Sequence, residues 1–422
     1  MTAVAVTQSQ ARSRFMAVLA ASIGNALEWF DFVVYGFFAL TISKLFFPAG
    51  DPTISLLLTF LTFGVPFFMR PLGAIVLGGY ADRHGRKATL VLTIGLMMIG
   101  TAVIAVMPTY QTIGVLAPLL IVIARMIQGF SAGGEFGSAT AFLAEQDPKR
   151  RGFFASWQLA SQGVTTVLAT GFGVVLSSML TPAQMDAWGW RTPFVFGLLI
   201  GPIAYYMRRH VEEAPEFRTA RRSEAPLREA FLNDRSRMLI GLGAVVLGTV
   251  ATYMTLFMPA YAVRQLGLPA AGSFAAGLLY GVLQIVLIPV FGALSDRIGR
   301  LPVPALCAVV MLFGTYPMFA WLADVPTLQT LLWAWVILGV VVAGYQASLP
   351  ALLSDLFPIH TRTTGLSISY SFAVMIFGGF APFIVQWLID ATGSKLAPSF
   401  YMMFAAGISI IALAAARGAG FR

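Results

Sequence analysis

The chain has one cysteine, Cys307, and three histidines, His84, His210 and His360, in 422 residues. A lone cysteine forms no intrachain disulfide, so the fold takes no support from an oxidising compartment. Charged residues make up 11% of the chain, against roughly 25% in soluble domains, which excludes an ordinary water-exposed surface. The sequence contains no P-loop, HExxH or CxxC, so it offers neither a nucleotide cradle nor a metal or redox site. No nucleophile–base constellation stands out either. The chain is expected to be no enzyme and to need no cofactor or metal. Period-two alternation is absent as well, which argues against a membrane barrel.

Apolar sequence is what the chain has in abundance: 58% of residues are hydrophobic and the mean hydropathy is +0.80. Runs such as Ala88 to Met107 and Leu239 to Met258 carry no Asp, Glu, Lys or Arg. About 20 such residues span a hydrocarbon core as a helix. The pattern predicts an all-α polytopic membrane protein with spans near 15–42, 54–81, 88–107, 112–144, 152–178, 191–207, 237–262, 271–295, 302–322, 327–353, 363–388 and 398–416. The first run continues past Glu28 and Asp31 to Phe47, too long for the apolar region of a cleaved leader.

The pI near 9.9 raises the question of nucleic acid, and the placement of charge answers it. With both termini on the cytoplasmic side, 21 of the 27 Lys and Arg fall in cytoplasmic tails and loops. Only Lys44, Arg191, Arg264 and Lys395 fall on the other side, and Arg70 and Arg125 lie inside spans. This is the positive-inside bias of a multi-pass protein of a bacterial inner membrane. It accounts for the basic pI with membrane lipid as the partner and no nucleic acid. The loop from Arg208 to Arg237 mixes eight Arg with Glu212, Glu213, Glu216, Glu224, Glu229 and Asp234, as a solvated linker does.

An internal repeat divides the chain. Gly78 to Arg86 reads GGYADRHGR and Gly292 to Arg300 reads GALSDRIGR, with five identities at an offset of 214 residues. Glu145 with Pro148, and Asp355 with Pro358, repeat at an offset of 210. Two six-helix bundles are expected, at 1–207 and 237–422, joined by a linker at 208–236. Parallel repeats of this kind hold their substrate at the bundle interface near the bilayer midplane.

Ionisable groups inside membrane helices are costly, at roughly 2.5–3.5 kcal/mol each on insertion scales, and so mark function. Here they are Glu28, Asp31, Arg70, Arg125 and Glu135, all in the first half. Asn25, Glu28, Asp31 and Tyr35 follow at spacings of 3, 3 and 4, and Arg125, Gln128 and Glu135 at 3 and 7. Each set is expected to share one helix face. The reading is a cavity in which Arg70 and Arg125 attract carboxylates while Glu28, Asp31 or Glu135 carries a proton. The alternative is a set of ion pairs between packed helices. The histidines all fall in loops, so a carboxylate must carry any coupled proton. Uncharged polar stripes complete the candidate site: Gln158 and Gln162 in the fifth span, Thr249, Thr252 and Tyr253 in the seventh, and Tyr370 in the eleventh. Gly133, Gly134 and Gly137 read as close helix packing.

GGYADRHGRK resembles the signature loop of the major facilitator superfamily, and RMIQGFSAGGE from Arg125 resembles its fourth-helix motif. NALEWFDFVVYG, MRPLG and WGWRTPF are similar to strings of the metabolite–proton symporters, which include citrate, tricarballylate, ketoglutarate, shikimate and proline/betaine carriers. SWQLASQ, FGGFAPF and DATGSKLAPSFY most resemble the citrate and tricarballylate carriers. The resemblance implies proton-coupled import of a small organic anion by alternating access. The partners are then that anion and protons, and the working unit is a monomer. The alternatives are a dicarboxylate, a zwitterion such as proline or betaine, or uncoupled facilitation. It also implies a cytoplasmic latch built from Asp82, Arg83, Gly85 and Arg86 and from Asp296, Arg297 and Arg300. In that latch Asp82 faces the start of the eleventh helix and Asp296 the start of the fifth.

Overall fold

A computed structural model describes residues 18, 22–23, 25–26, 28–84, 86–133, 135–210, 234–358 and 361–421. Among them there is no strand. Each predicted span is matched by helix. They are α1 (Glu28–Phe37, then Ala39–Phe46), α2 (Pro52–His84), α3 (Arg86–Val106), α4 (Leu116–Ser131, then Glu135–Glu145), α5 (Arg151–Met179) and α6 (Thr192–His210). After the linker come α7 (Arg235–Arg264), α8 (Ala270–Ile298), α9 (Pro302–Asp324), α10 (Leu328–Ala347, then Leu349–Leu356), α11 (Arg362–Ala373, then Ala381–Thr392) and α12 (Ala397–Gly418). Most of the expected linker lies outside the described residues.

Several helices are broken where the sequence suggests continuity. The two parts of α1 meet at 72°, so the first span runs on to Phe46 rather than ending near 42. The first part of α4 ends at Ser131, before Ala132 and Gly133. Residues Val374–Gly378 of α11 form one π turn, closed by Gly379 N–H donating to the Val374 carbonyl at 2.7 Å. The carbonyl of Phe377 accepts from the Tyr401 hydroxyl at 2.7 Å, which satisfies a group the turn takes out of the regular ladder. Prolines inside α2, α7, α8 and α9 are accommodated within continuous helix.

Glycine sets how closely the bundles approach. In α2 and α4, Gly73 faces the carbonyl of Phe130, and Gly129 the backbone of Pro66. Gly133 faces the Arg70 carbonyl in the same crossing. A Cβ at any of the three would enter backbone, so side-chain adjustment gives no relief. The two halves meet in the same way along α5 and α8. A Cβ on Gly163 would stand 2.8 Å from the Gly281 carbonyl, and one on Gly292 would stand 2.8 Å from the Gly152 carbonyl. Such backbone contact is how membrane helices associate without a hydrophobic driving force. α7 is 83% buried over its apolar window and α9 only 28%. Thus α7 forms part of the centre and α9 part of the apolar perimeter, where Leu306 and Phe313 are exposed.

Candidate functional site

A narrow crevice lies between the halves. Phe136, Leu159 and Gln162 line it from the first half, and Thr249, Thr252, Tyr253, Gln346 and Tyr370 supply most of its polar atoms from the second. The crevice is nearly closed in this state, so a metabolite enters only when the halves part. The Phe136 and Tyr370 rings stack across the crevice. Thr252 accepts from Gln346 Nε2 at 2.7 Å. By contrast, the Thr249 hydroxyl is buried and has no hydrogen-bond partner. Buried polar groups are nearly always paired, so this one is open to a ligand.

The buried charges stand one aromatic layer behind this wall. The Arg125 guanidinium lies 4.5 Å from the Tyr35 ring centre, 4.9 Å from Phe32 and 5.5 Å from Phe63. The Arg70 guanidinium lies 4.3 Å from Trp29, 5.2 Å from Phe67 and 5.4 Å from Phe32. Tyr253 of the crevice packs edge-on against Phe63 and Phe67, the outer members of this box. A desolvated cation–π contact is worth about 2 kcal/mol or more, comparable to the roughly 2.5–3.5 kcal/mol cost of an intramembrane Arg. The rings therefore offset much of the burial cost without cancelling the charge. Nε of each arginine is buried with no acceptor.

From Arg125 a hydrogen-bond chain crosses the first bundle. Arg125 Nη1 donates to Gln128 Oε1 at 3.1 Å, and Gln128 Nε2 donates to the Thr101 hydroxyl at 3.1 Å. Thr101 in turn hydrogen-bonds Asp31 Oδ2. Asp31 Oδ1 is buried without a partner, facing Gly197 of α6, where a Cβ would stand 2.5 Å away.

The expected one-face arrangement of α1 therefore does not occur. Asn25 turns to α5, donating to Ser161 at 2.8 Å and accepting from Gln158 at 3.0 Å. Asp31 turns to α3 and α6, and Tyr35 to Phe63 of α2. Three-residue steps drift about 60° round a helix, so Asn25 and Asp31 stand about 120° apart. Arg125, Gln128 and Gln158 are fully buried in the first bundle and do not line the crevice, whereas Gln162, Tyr253 and Tyr370 do. Glu28 is half-buried. The side chains of Asp82, Arg83, Arg86 and Glu135, and the whole of Gly85, lie outside what is described.

At the end of the bundles that carries the DRxGR loops, charges join the halves. Asp296 Oδ1 and Oδ2 accept from the backbone N–H of Gly152 at 2.7 Å and Phe153 at 3.0 Å. Its carboxylate thus caps the start of α5, where the helix dipole is positive. Arg300 Nη1 stands 2.7 Å from Asp296, and Gly299 takes φ +99°, a conformation that favours glycine. Arg297 is exposed. Two further pairs cross between halves: Arg151 with Asp355 at 2.5 Å, and Arg362 with Glu145 at 3.5 Å. The arginines are 211 residues apart and the acids 210, so the crossing is pseudo-symmetric. The Glu145 and Asp355 repeat was the sequence signal for it. Thr101 gave no such signal.

Two helical bundles closed on a central crevice, with charges buried beside it, define a multi-pass membrane transporter rather than an enzyme. The profile of the Major Facilitator Superfamily matches residues 15–288 and 271–418, and the chain belongs to that family. It is 41% identical to a citrate-proton symporter of Klebsiella pneumoniae, over 95% of this chain and 91% of that one. It is 35% identical to a proline/betaine transporter of Escherichia coli strain K12, over 94% and 82%. An alpha-ketoglutarate permease of the same strain is 33% identical, over 96% and 94%. A proton:xylose symporter solved with 6-bromo-6-deoxy-D-glucose shares the fold at a TM-score of 0.76, covering 97% of this chain and 96% of that one at 16% identity.

Proposed function

We propose that this transporter is a proton-coupled symporter that imports a small organic anion, a tricarboxylate of the citrate type, by alternating access. Its membrane is the bacterial inner membrane, with both termini in the cytoplasm. The observation that carries the reading is the burial of two arginines and one carboxylate together, beside a crevice between the halves. Arg70 and Arg125 raise the potential at the crevice wall for a multivalent anion, and their unpaired Nε atoms favour one further acceptor. Asp31 is the group for the proton. Its Oδ2 meets the Thr101 hydroxyl, which can accept as well as donate, so Asp31 keeps that hydrogen bond when a proton binds there. The identity to citrate-proton symporters supports the same substrate class. In this scheme Asp82, Arg83, Gly85, Arg86, Asp296, Arg297 and Arg300 form the cytoplasmic latch, and Gln162, Tyr253 and Tyr370 contact the substrate.

One observation favours a second reading. The crevice wall itself is aromatic and uncharged, with Phe136, Tyr253 and Tyr370, and such rings bind quaternary ammonium groups. A betaine-like zwitterion fits that wall, and proline/betaine transporters are among the relatives. Energetics separate the two. Each charge moved through 100 mV is worth about 2.3 kcal/mol, so a trianion needs several protons, or a partly protonated form, to enter against an inside-negative potential. Proteoliposome uptake of labelled citrate, with and without an imposed inward proton gradient and with unlabelled tricarballylate, ketoglutarate and betaine as competitors, tests both. Gradient-driven citrate accumulation blocked by tricarballylate supports the first reading, and block by betaine alone supports the second. Uptake that never exceeds the outside concentration sinks the symport assignment.

A further inference from the structure

We infer that Thr101 is a positioning residue that ties the proton on Asp31 to Arg125, an inference that rests on the symport reading above. Gln128 Oε1 faces an arginine N–H, which can only donate, so its amide orientation is fixed and Nε2 must donate to Thr101. The Thr101 hydroxyl therefore has one lone pair occupied and a single hydrogen to give. Two acceptors compete for that hydrogen: the Met97 carbonyl one turn back at 3.0 Å, and Asp31 Oδ2. Both cannot have it at once.

The state of Asp31 decides between them. As a carboxylate, Asp31 takes the hydrogen, because hydrogen bonds to a charged group are roughly twice as strong as neutral ones. The chain then runs unbroken from Arg125 through Gln128 and Thr101 to Asp31. As an acid, Asp31 donates to Thr101, whose hydrogen swings to the Met97 carbonyl. The chain's direction is then broken at Thr101, and Arg125 no longer leads into a negative charge. Proton binding thus turns one hydroxyl and changes what the guanidinium faces. All four side chains are buried: Asp31 is 6% exposed, Thr101 1%, and Gln128 and Arg125 0%. Bulk water does not short-circuit the relay. Of the charges from other helices, Arg125 of α4 acts on Asp31 and Arg70 of α2 acts on Arg125 in turn, while Glu28 and Tyr35 flank Asp31 on α1. The contacts from α3 and α6, Thr101 and Gly197, bring no ionisable group.

The test compares Thr101→Val, which keeps the shape and removes the hydroxyl, with Thr101→Ser, which keeps the hydroxyl. Proteoliposomes are assayed with labelled citrate for gradient-driven accumulation and for counterflow exchange, which needs no net proton movement. The expected result is that Thr101→Val loses about tenfold in accumulation, the scale of one charge-assisted hydrogen bond, while counterflow stays within about threefold. Thr101→Ser should stay near wild type in both, and Thr101→Ala reads the same ratio if the valine variant fails to insert. Accumulation by Thr101→Val equal to wild type overturns the inference alone, as does a serine variant as poor as valine. A wild-type protein indifferent to the gradient overturns the symport reading and takes this inference with it.

Discussion

Phe136 of α4 and Tyr370 of α11 stack across the two halves with ring centres 3.4 Å apart and planes 6° from parallel. Neither half can close the crevice at this level alone, and neither can move away without separating the rings. The two rings bury each other's faces as the halves meet, and burying an aromatic side chain contributes about 1.5–3 kcal/mol, enough to bias an open–closed equilibrium several-fold. Phe136→Ala should therefore favour opening here, while Tyr370→Phe keeps the stack. The measurement is alkylation of a cysteine placed at Leu353, a crevice residue that is 1% exposed, in a Cys307→Ser background. Labelling several-fold faster with Phe136→Ala is expected, and labelling at the parent rate counts against the stack as a gate.

Asp296 links the halves by a different force. It accepts two backbone N–H bonds at the start of α5 and one from Arg300. Asp296→Asn removes the charge and supplies N–H where acceptors are needed. Bonds to charged groups contribute about 1.5–3 kcal/mol each, so the closed latch should weaken markedly. The latch lies away from the crevice, which shares none of these residues. Turnover should fall by about tenfold or more, with KM little changed, in initial-rate uptake. A KM that rises in parallel would place Asp296 in binding instead.

The latch was legible and the charge network was only half so, for physical reasons. Asp296 and Glu145 sit in strings that recur at one offset, so the repeat exposes them, and a carboxylate beside a helix start has few other uses. The intramembrane charges Asp31, Arg70 and Arg125 are visible because their burial is costly. Their directions are not visible. Asn25, Asp31 and Tyr35 meet α5, α3 and α2 in turn, because α1 is surrounded and each small angular drift reaches a new neighbour. Thr101 is one hydroxyl in an apolar run, and only the position of Gln128 gives it significance. The break in α1 beside Phe38 involves no proline, so nothing at that residue announces it, whereas Gly378, Gly379 and Pro382 mark the π turn of α11 in the sequence.

Arg70 offers a test of how charge reaches the crevice. Its guanidinium is flanked by Trp29, Phe32 and Phe67, and a lysine keeps the charge but not the planar stacking. Arg70→Lys should raise KM for an anionic substrate by about tenfold, the equivalent of 1.4 kcal/mol, and should lower the melting temperature through lost packing. Arg70→Gln should abolish saturable uptake. If the glutamine variant keeps a wild-type KM, the fixed-charge account of anion attraction is wrong.

Gly137 of α4 approaches the second half most closely where α4 crosses α11. A Cβ there would run into Ser367 Oγ and would stand 2.8 Å from the Thr363 carbonyl. The serine can rotate, but the carbonyl belongs to helix backbone and cannot. Gly137→Ala should therefore be tolerated when the halves are apart at this end and opposed when they are closed, so the mutation acts on one state only. Trimming the partner with Ser367→Ala relieves the first clash and leaves the second. The expected order of alkylation at Leu353→Cys is Gly137→Ala fastest, Gly137→Ala with Ser367→Ala intermediate, and the parent slowest. Accumulation should fall in the same order, since a transporter held open at one end cannot cycle. Equal labelling in all three would mean that this crossing does not separate during transport.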